Sequence, residues 1–375
     1  MNTPPIKILF AGDFIPPQPD DSRLYSEDLL NVLSDKDFSI VNLEAPLTRS
    51  SEKIQKTGNN FKSHPETIQH IVGGKFDTVA LANNHIRDFG RQGVLDTLET
   101  CQKNNILTMG AGENLETAGG PLIVTIKEKK MGFLNFCEKE FNIASQNTPG
   151  ANPFDTIDAF YQIQKAKSAC DFVFVVYHGG LEYHYLPTPG IIKRFKFLID
   201  AGADGVVSHH THRYSGTMKY RKRPIFFGLG NFFASTISKV TDDWLVGAMA
   251  MISIDGDAIE YQMVPTKMAR NFTAVDVLLN DEKQKVMAHI DTISSKISNV
   301  IEINKYWDEV FQDEADRTIA LLKSGSRMEF RIRKRLPMLW SRMSPYKLSI
   351  LLNLVRCDSH REKLIEILNN EYKNF

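Results

Sequence analysis

The sequence lacks the features of disulfide-stabilised and nucleic-acid-binding proteins. Its four cysteines are Cys101, Cys137, Cys170 and Cys357. They lie far apart and include no CxxC pair, which favours small buried thiols in a reducing compartment over a disulfide framework. Lysine plus arginine and aspartate plus glutamate number 45 each, so no excess charge attracts nucleic acid.

Long hydrophobic runs are also absent. The apolar stretch at residues 8–11 is followed at once by Gly12 and Asp13, and it is too short for a signal-peptide core or a membrane span. Of the 375 residues, 42% are hydrophobic and 24% are charged, which is the composition of an ordinary globular protein. We therefore expect a cytoplasmic protein that binds no nucleic acid.

Six short apolar segments of strand type are present, and each ends in a metal-capable or amide side chain. These segments are residues 6–11, 38–41, 76–82, 171–177, 205–208 and 224–229. Helical patterns lie between them, at residues 25–33, 65–72, 92–103, 156–169 and 191–201. This alternation is typical of α/β proteins with helices packed outside the sheets. Because sites in such sheets form at the carboxyl ends of strands, the six endings predict one functional site.

The chain changes character near residue 265. Two strand-like runs, residues 245–254 and 258–264, predict a hairpin that completes the sheet. Helical segments follow at residues 282–301, 305–323, 346–355 and 360–372. Ser359 and Glu362 form the signature of a capping box at the last of these helices. We expect a domain of residues 1–265 and a helical C-terminal extension of residues 266–375.

Three histidines within four positions follow the fifth strand segment. In an extended or looped backbone, His210 and His212 can both turn toward one point, whereas on a helix side chains two apart diverge. Two neutral imidazoles aimed at one point suit a transition-metal ion. The alternative is a polar loop that is rich in histidine by chance.

The other strand endings supply further groups that can bind a metal. Asp13 and Glu44 carry carboxylates, Asn84 carries an amide oxygen and His178 carries an imidazole. This mixture without thiolate suits Mn, Fe or Zn. A cluster of this size can hold two ions that share a bridging carboxylate and activate water between them.

A candidate proton donor lies next to one of these groups. His85 follows Asn84 directly, so its ring can stand outside the metal shell and protonate a leaving group. Asp88 can orient that ring, as carboxylates do for catalytic imidazoles. The pair predicts acid catalysis beside the metal cluster.

Six short motifs occur in order between residues 12 and 232. They are Gly12-Asp13, Asn42-Leu43-Glu44, residues 81–85 with Asp88 and Gly90, His178-Gly179-Gly180 with Glu182-Tyr183, His209-His210-Thr211-His212, and Leu229-Gly230-Asn231-Phe232. Together they resemble the motifs of the CapA-type capsule (poly-γ-glutamate) synthesis proteins, a branch of the calcineurin-like metallophosphoesterases. Any single motif is weak, but six in the right order identify the family.

This resemblance implies a fold and a set of roles. The fold is α/β, with metallophosphoesterase-like layered β-sheets flanked by helices. His85 matches the catalytic acid of the superfamily. The metal-ligand positions form one group of Asp13, Glu44 and His212 and a second group of Glu44, Asn84, His178 and His210.

Two departures from the superfamily pattern affect one metal position. A histidine is usual two residues after the first aspartate, and here that residue is Ile15, which cannot ligate. Glu44 stands where a bridging aspartate is usual and adds one methylene of reach. The position that includes Asp13 and His212 has therefore lost a ligand, whereas the one that includes His178 is complete. We expect one tight ion and a second, labile one.

Four further motif residues are candidates for substrate binding. Glu182 and Tyr183 follow Gly180, where the missing side chain lets the backbone approach a ligand. For these two residues, contact with a substrate and a structural hydrogen bond are equally favoured interpretations. His209 is expected behind the metal ligands or against the substrate. Asn231 is favoured as a site residue over a turn amide.

Residues 327–340 combine a basic cluster with apolar and aromatic side chains. One interpretation is a peripheral contact with a membrane surface or an anionic polymer. We favour a helix docked on the main domain, because Pro337 interrupts the amphipathic stretch.

Two functions of different classes fit these features. The first is a metal-dependent hydrolase of a phosphoester or an anionic polymer in capsule or exopolymer biosynthesis. The alternative is a non-catalytic metal-binding accessory that works with the machinery of capsule polymer assembly or export. His85 favours catalysis, since a pure binder has no evident use for a proton donor, whereas Ile15 favours the alternative. The fold alone does not decide between them.

Overall fold

Two β-sheets packed against each other form the centre of the protein, and helices lie outside them. The computed structural model describes residues 4–18, 24–235, 241–322 and 345–373. Its strands are β1 (Ile6–Ile15), β2 (Phe38–Leu43), β3 (Thr78–Ala80), β4 (Leu107–Met109), β5 (Ala111–Gly112), β6 (Leu122–Ile126), β7 (Lys129–Cys137), β8 (Gly150–Ala151), β9 (Phe172–His178), β10 (Gly205–His209), β11 (Thr217–Tyr220), β12 (Arg223–Phe226), β13 (Asn231–Ala234), β14 (Val246–Asp255), β15 (Ala258–Met268) and β16 (Val275–Val277).

The helices fall into two sets. Those between the strands are α1 (Glu27–Ser34), α2 (Ile68–Gly73), α3 (Gly90–Lys103), α4 (Leu115–Gly119), α5 (Thr156–Ala169), α6 (Pro189–Asp200) and α7 (Asp242–Leu245), with a 3-10 turn at Pro65–Thr67. Those after the last strand are α8 (Asn280–Ser298), α9 (Val300–Leu322), α10 (Pro345–Arg356) and α11 (Asp358–Lys373). Several begin at side-chain caps: Asp155 accepts from the backbone N–H groups of Ile157 and Asp158, and Thr188 caps α6 ahead of a proline.

The first sheet has eight strands and is mixed. β1, β2, β3 and β4 run parallel, while β14, β15 and β16 continue the sheet in antiparallel fashion. β1 pairs with β14 along its first half and with β13, which is parallel to it, near its end. This register sets Asp13 beside Asn42 on one neighbouring strand and beside Asn231 on the other.

The second sheet has six strands in the order β11-β12-β10-β9-β7-β6, of which β12, β10, β9 and β7 are parallel. Its apolar face packs on the first sheet through four phenylalanines. Phe10 and Phe38 of the first sheet contact Phe133 of the second, with ring centroids 6.3 and 5.3 Å apart, and Phe174 lies 6.1 Å from Phe10. Rings at these separations bury large apolar areas and hold the two sheets in one orientation.

The fold class predicted from the sequence, layered β-sheets flanked by helices with a helical C-terminal extension, is confirmed. The predicted hairpin is also confirmed, since β14 and β15 pair antiparallel along their length. The proposed boundary near residue 265 stays a prediction; β15 runs through Pro265 to Met268, and β16 adds one more strand. The basic segment 327–340 lies outside the described residues.

Several elements were missed, among them β7 and β13. β7 is a nine-residue strand in the interior of the second sheet, but its buried part contains Gly132 and Asn135 and no β-branched residue, so its strand signal is weak. The predicted sixth strand ends at Phe226, and Asn231 opens the separate strand β13. Asn231 therefore lies at the start of a strand and not after the end of one.

The predicted capping box at the last helix is wrong. α11 begins at Asp358, and both side chains of the supposed box form tertiary contacts instead. Ser359 donates from its backbone N–H and its hydroxyl to Glu138, while Glu362 accepts from Thr188 Oγ1 and the Gly190 N–H. A local pattern was replaced by longer-range contacts that hold α11 on α6.

The C-terminal helices are docked through one buried carboxylate. Glu138 is 3% exposed and accepts hydrogen bonds from Tyr177, Arg194, Cys357 and Ser359. Burial alone would raise the pKa of Glu138, but the Arg194 guanidinium and the hydrogen bonds from Cys357 and Ser359 outweigh it and hold the pKa below its usual value. The carboxylate is thus ionised and fully paired.

Apolar contacts add to this docking. Trp307 of α9 is buried, and its indole N–H donates to the carbonyl of Pro187 at 2.7 Å. Ile290, Ile303 and Ile367 belong to the same apolar cluster as the second sheet. Among the described residues, no helix is long and apolar enough to cross a membrane.

We predict that Glu138→Ala loosens the C-terminal helices. Removing Glu138 leaves the Arg194 guanidinium paired with Asp358 alone. It also leaves the buried donors of Tyr177, Cys357 and Ser359 without their acceptor, and together these losses cost about 3–5 kcal/mol. Urea denaturation should show that loss in the free energy of unfolding. As a control, Glu260→Ala removes an exposed pair with Lys219, for which about 0–1 kcal/mol is expected. Equal losses in the two variants would contradict the docking role of Glu138.

Candidate metal centre

The carboxyl ends of parallel strands from both sheets meet at one place. Asp13 lies near the end of β1 and Glu44 follows β2, while Asn84 comes after β3. From the second sheet, His178 ends β9 and His210 follows β10. Asp13 and Glu44 are 0% exposed, and the two histidines are 2% and 4% exposed. These four buried side chains and the partly exposed Asn84 form one polar cluster at the shared edge of the sheets.

One group of potential ligand atoms surrounds His178. Its Nε2 lies 3.0 Å from Asn84 Oδ1, 3.1 Å from His210 Nδ1 and 3.4 Å from Glu44 Oε1. Ligand atoms that each stand about 2 Å from one ion lie roughly 3 Å from one another. The spacing of these four atoms therefore fits a single metal ion.

A second group lies on the other side of Glu44. His212 Nδ1 is 3.6 Å from Asp13 Oδ2 and 4.0 Å from Glu44 Oε2. In both groups the carboxylate and imidazole atoms lie within 4.8 Å of one another. Glu44 directs Oε1 toward His178 and Oε2 toward His212, so its carboxylate can bridge two ions.

The chemistry of Glu44 tests whether the cluster fits a metal. Neither oxygen of this fully buried carboxylate accepts a hydrogen bond from any residue that the structure describes. Burial, with the nearby Asp13 carboxylate as the next cause, raises the pKa of Glu44 well above its usual value. A buried carboxylate without donors is costly, and a cation between Glu44 and the imidazoles would offset that cost. The residues present fit a metal.

Further contacts hold the ligands in place. Asn42 lies 3.3 Å from His178 Nδ1 and donates to Asp13 Oδ1 at 2.8 Å, which fixes the ring and the carboxylate together. Burial and then the neighbouring imidazoles, His210 first, lower the pKa of His178 well below its usual value, so its ring is neutral, as a metal ligand must be. His209 is 1% exposed, with Nδ1 3.1 Å from Asp13 Oδ1.

The predicted contact between His85 and Asp88 is present. His85 Nδ1 lies 2.6 Å from Asp88 Oδ2, and the ring of Phe61 covers that of His85 at 4.5 Å. Lys56, which sequence reasoning missed, binds Asp88 and stands 3.2 Å from His85 Nδ1. Burial, then the Lys56 ammonium, lower the pKa of His85 to about 4, against an opposing effect of Asp88. In the metal-free protein His85 is therefore neutral at pH 7.

A cleft of about 290 Å³ opens over the cluster. Asn84, His85 and His210 lie in its floor, together with the predicted substrate residues Glu182 and Tyr183. Glu182 is half-buried, and desolvation would raise its pKa, but electrostatic interaction with His210 and then with His212 lowers the pKa below its usual value. Tyr183 is 51% exposed and its ring lies 6.0 Å from that of His212. Both residues line the cleft over the cluster, and their contact with a substrate stays a prediction.

The C-terminal extension completes the wall of this cleft. Asn353 of α10 and His360 of α11 line it together with Lys56 and Glu140, and Asn353 Nδ2 lies 3.3 Å from His360 Nδ1. The sequence carries no signal for His360 as a site residue, since nothing in its helical surroundings distinguishes it. Only the docking of the helices at Glu138 brings it to the cleft.

The geometry agrees with a comparison against known families. The bacterial capsule synthesis protein family PGA_cap matches residues 7–236, which include both groups of potential ligands. The chain belongs to this family. The CapA-type relationship predicted from the six motifs is therefore confirmed, and α8 to α11 lie beyond the matched residues.

Curated relatives agree with the family assignment. The chain is 31% identical over 209 residues to the capsule biosynthesis protein CapA of Bacillus anthracis, covering 53% of this chain and 51% of that protein. It is 32% identical over 201 residues to the PGA biosynthesis protein CapA of Bacillus subtilis, covering 52% and 53%. The chain thus spans about half the length of these two relatives. A protein of Mycobacterium tuberculosis, named a probable polyglutamine synthesis accessory protein, is 27% identical over 283 residues, which cover 68% of this chain and 72% of that protein.

We predict that Lys56→Met raises the pKa of His85 in the metal-free protein. The ammonium disfavours the imidazolium form, so its removal should move the pKa upward from about 4, while burial keeps it below the ordinary 6.5. NMR titration of the His85 ring after chelation measures this shift. Lys53→Met is the matched control, since Lys53 is exposed. An unchanged His85 titration in Lys56→Met would contradict the electrostatic coupling.

Proposed function

We propose that the protein is a metal-dependent phosphoesterase-like hydrolase of the CapA type that serves capsule or exopolymer biosynthesis. The observation that carries this proposal is the pair of buried ligand groups that share Glu44 directly beside His85. Divalent Mn, Fe or Zn bound there would polarise a phosphoryl oxygen and lower the pKa of a bound water. The substrate class is a phosphoester or an anionic polymer.

The protein's own side chains supply the acid chemistry. Asp88 holds Nδ1 of His85, so the ring's Nε2 is left to protonate the leaving-group oxygen. The ring must first gain a proton, because its pKa is about 4 in the free protein. An anionic substrate group beside it favours the imidazolium form. Proton donation thus follows substrate binding.

The cleft walls bind and orient the substrate. Glu182 and Tyr183 on one side and Asn353 and His360 on the other face the same space. The half-exposed Tyr183 ring offers a flat surface, and the buried polar groups offer hydrogen bonds at defined positions. The names of the relatives, which refer to capsule or polymer biosynthesis, support the proposal of a partner in capsule polymer assembly. A cytoplasmic location stays a prediction.

The second candidate is a non-catalytic metal-binding accessory of polymer assembly or export. The observation that favours it is the neutral state of His85 in the free protein, together with Ile15 in place of a histidine. In this alternative, metal ions held by the two ligand groups would bind an anionic part of the polymer, and no bond of the polymer would be broken.

Hydrolysis of a generic aryl phosphate with added Mn distinguishes the two functions. We expect turnover by the wild type and a loss of about 10²–10⁴-fold in His85→Ala, which removes the proton donor. His210→Ala should fall to background, because it removes a ligand from the group around His178. His64→Ala is the control, since His64 stands at the N-cap of a 3-10 turn without a side-chain capping hydrogen bond and is not among the residues that line the cleft. Equal background rates in all four proteins would remove the hydrolase proposal.

The cleft wall contributed by the C-terminal helices gives a separate prediction. His360→Leu and Asn353→Leu should raise KM for the aryl phosphate by about tenfold with little change in kcat, because lost contacts outside the reacting centre weaken ground and transition state alike. Val355→Ala, an exposed change on the same helix α10, should leave both constants unchanged. Steady-state kinetics measures this difference, and an unchanged KM in both leucine variants would exclude the wall from substrate binding.

A further inference from the structure

The group formed by Asp13, Glu44 and His212 is one ligand short by the superfamily pattern. We propose that the side-chain amide oxygen of Asn231 is the fourth protein ligand of this group, in place of the histidine missing at Ile15. The inference rests on metal binding in the proposed function. It changes the expected occupancy from one firmly held ion to two.

Distances place the amide oxygen at this group. Asn231 Oδ1 lies 2.9 Å from His212 Nδ1, the same nitrogen that faces Asp13 Oδ2 at 3.6 Å and Glu44 Oε2 at 4.0 Å. Asn231 is 1% exposed, so bulk water does not compete for its oxygen. His212 Nδ1 thus contacts Asn231 Oδ1 and also faces both carboxylates of the group.

The orientation of the amide is determined by a second contact. Asn231 Nδ2 donates to the backbone carbonyl of Trp244 at 3.1 Å. The flipped amide would set two oxygen acceptors against each other at Trp244 and leave that carbonyl without its donor. Oδ1 is therefore held toward His212.

The backbone is built for this close approach. Asp13 N–H donates to the carbonyl of Gly230 at 2.9 Å. A Cβ at Gly12 would lie 2.2 Å from the backbone carbonyl oxygen of Gly230, and a Cβ at Gly247 would lie 2.1 Å from the backbone carbonyl oxygen of Asn231. Gly230 also has a φ of +67°, which favours glycine. The missing side chains let β13 lie against β1 with Asn231 beside Asp13.

Ile15 has a different role. Its side chain is 4% exposed and belongs to the apolar cluster beneath the first sheet, with Phe14, Leu24 and Tyr25. A hydrocarbon side chain has no lone pair for a metal. The adjacent strand β13 can supply the ligand that β1 does not.

A purely orienting role for Asn231 fits the geometry less well. In that case His212 Nδ1 would carry a hydrogen toward Asn231, and its other nitrogen would bind the ion. The carboxylates of Asp13 and Glu44 are nearest to Nδ1, so this is the nitrogen that faces the group. With two carboxylates, one amide oxygen and one imidazole, the position suits Mn²⁺.

Metal content after equilibrium dialysis against Mn²⁺ tests the inference on the full chain. We expect two ions per chain in the wild type and in Asn152→Leu, a control that replaces another asparagine of 1% exposure. Asn231→Leu should keep one ion and bind the second at least about 100-fold more weakly, since even partners behind the ligands contribute 10–100-fold. Circular dichroism establishes that each variant is folded.

An anomalous-difference map of Mn-loaded wild-type crystals gives a measurement that needs no variant. It should show Asn231 Oδ1 about 2 Å from one ion, and a separation beyond about 3 Å would overturn the inference. Two ions retained by Asn231→Leu, or a single ion in the wild type, would also overturn it while metal binding itself stands. A wild type that binds no ion would remove the metal-dependent function and this inference together.

Discussion

The constraint on which the site depends is the position of the Glu44 carboxylate, fully buried with no hydrogen-bond donor from the described residues. Burial without a donor makes the ionised form of Glu44 unfavourable, and its pKa therefore lies well above the usual value. The neighbouring His178 is also buried, which lowers its pKa well below the usual value, so its ring is neutral. A cation among these groups would satisfy the carboxylate and bind the imidazole lone pairs at once.

Glu138 shows what a buried glutamate looks like when the chain itself satisfies it. Both carboxylates are buried, yet Glu138 receives donors from Tyr177, Arg194, Cys357 and Ser359 and has a lowered pKa. Its role is to dock α11, and through that docking it shapes one wall of the cleft. The contrast separates a structural carboxylate from one that could hold a metal ion. It rests on hydrogen-bond partners, because the two carboxylates are buried to nearly the same extent.

Much of the architecture could be predicted because its signals are local. The apolar runs that became β1, β2, β9 and β10 are continuous and end at polar residues, and the Asp-Gly-Asp turn marks the hairpin of β14 and β15. β7 was not predicted from the sequence, because its packing in the sheet, and not its residue types, makes it a strand. The capping box predicted at Ser359 and Glu362 was wrong because tertiary partners competed for the same side chains. Lys56 was missed because a single lysine in a loop carries no sequence signal.

By itself the sequence determined the residue types of the site and their order, since the chemistry of carboxylate, amide and imidazole groups belongs to the side chains. It also determined the missing ligand at Ile15. Only the tertiary structure decided which of these groups share a volume, because contacts among Asp13, Glu44, His212 and Asn231 join residues far apart along the chain. Their distances depend on the packing of two sheets and on glycines that let two strands approach closely, and neither is encoded in any one segment.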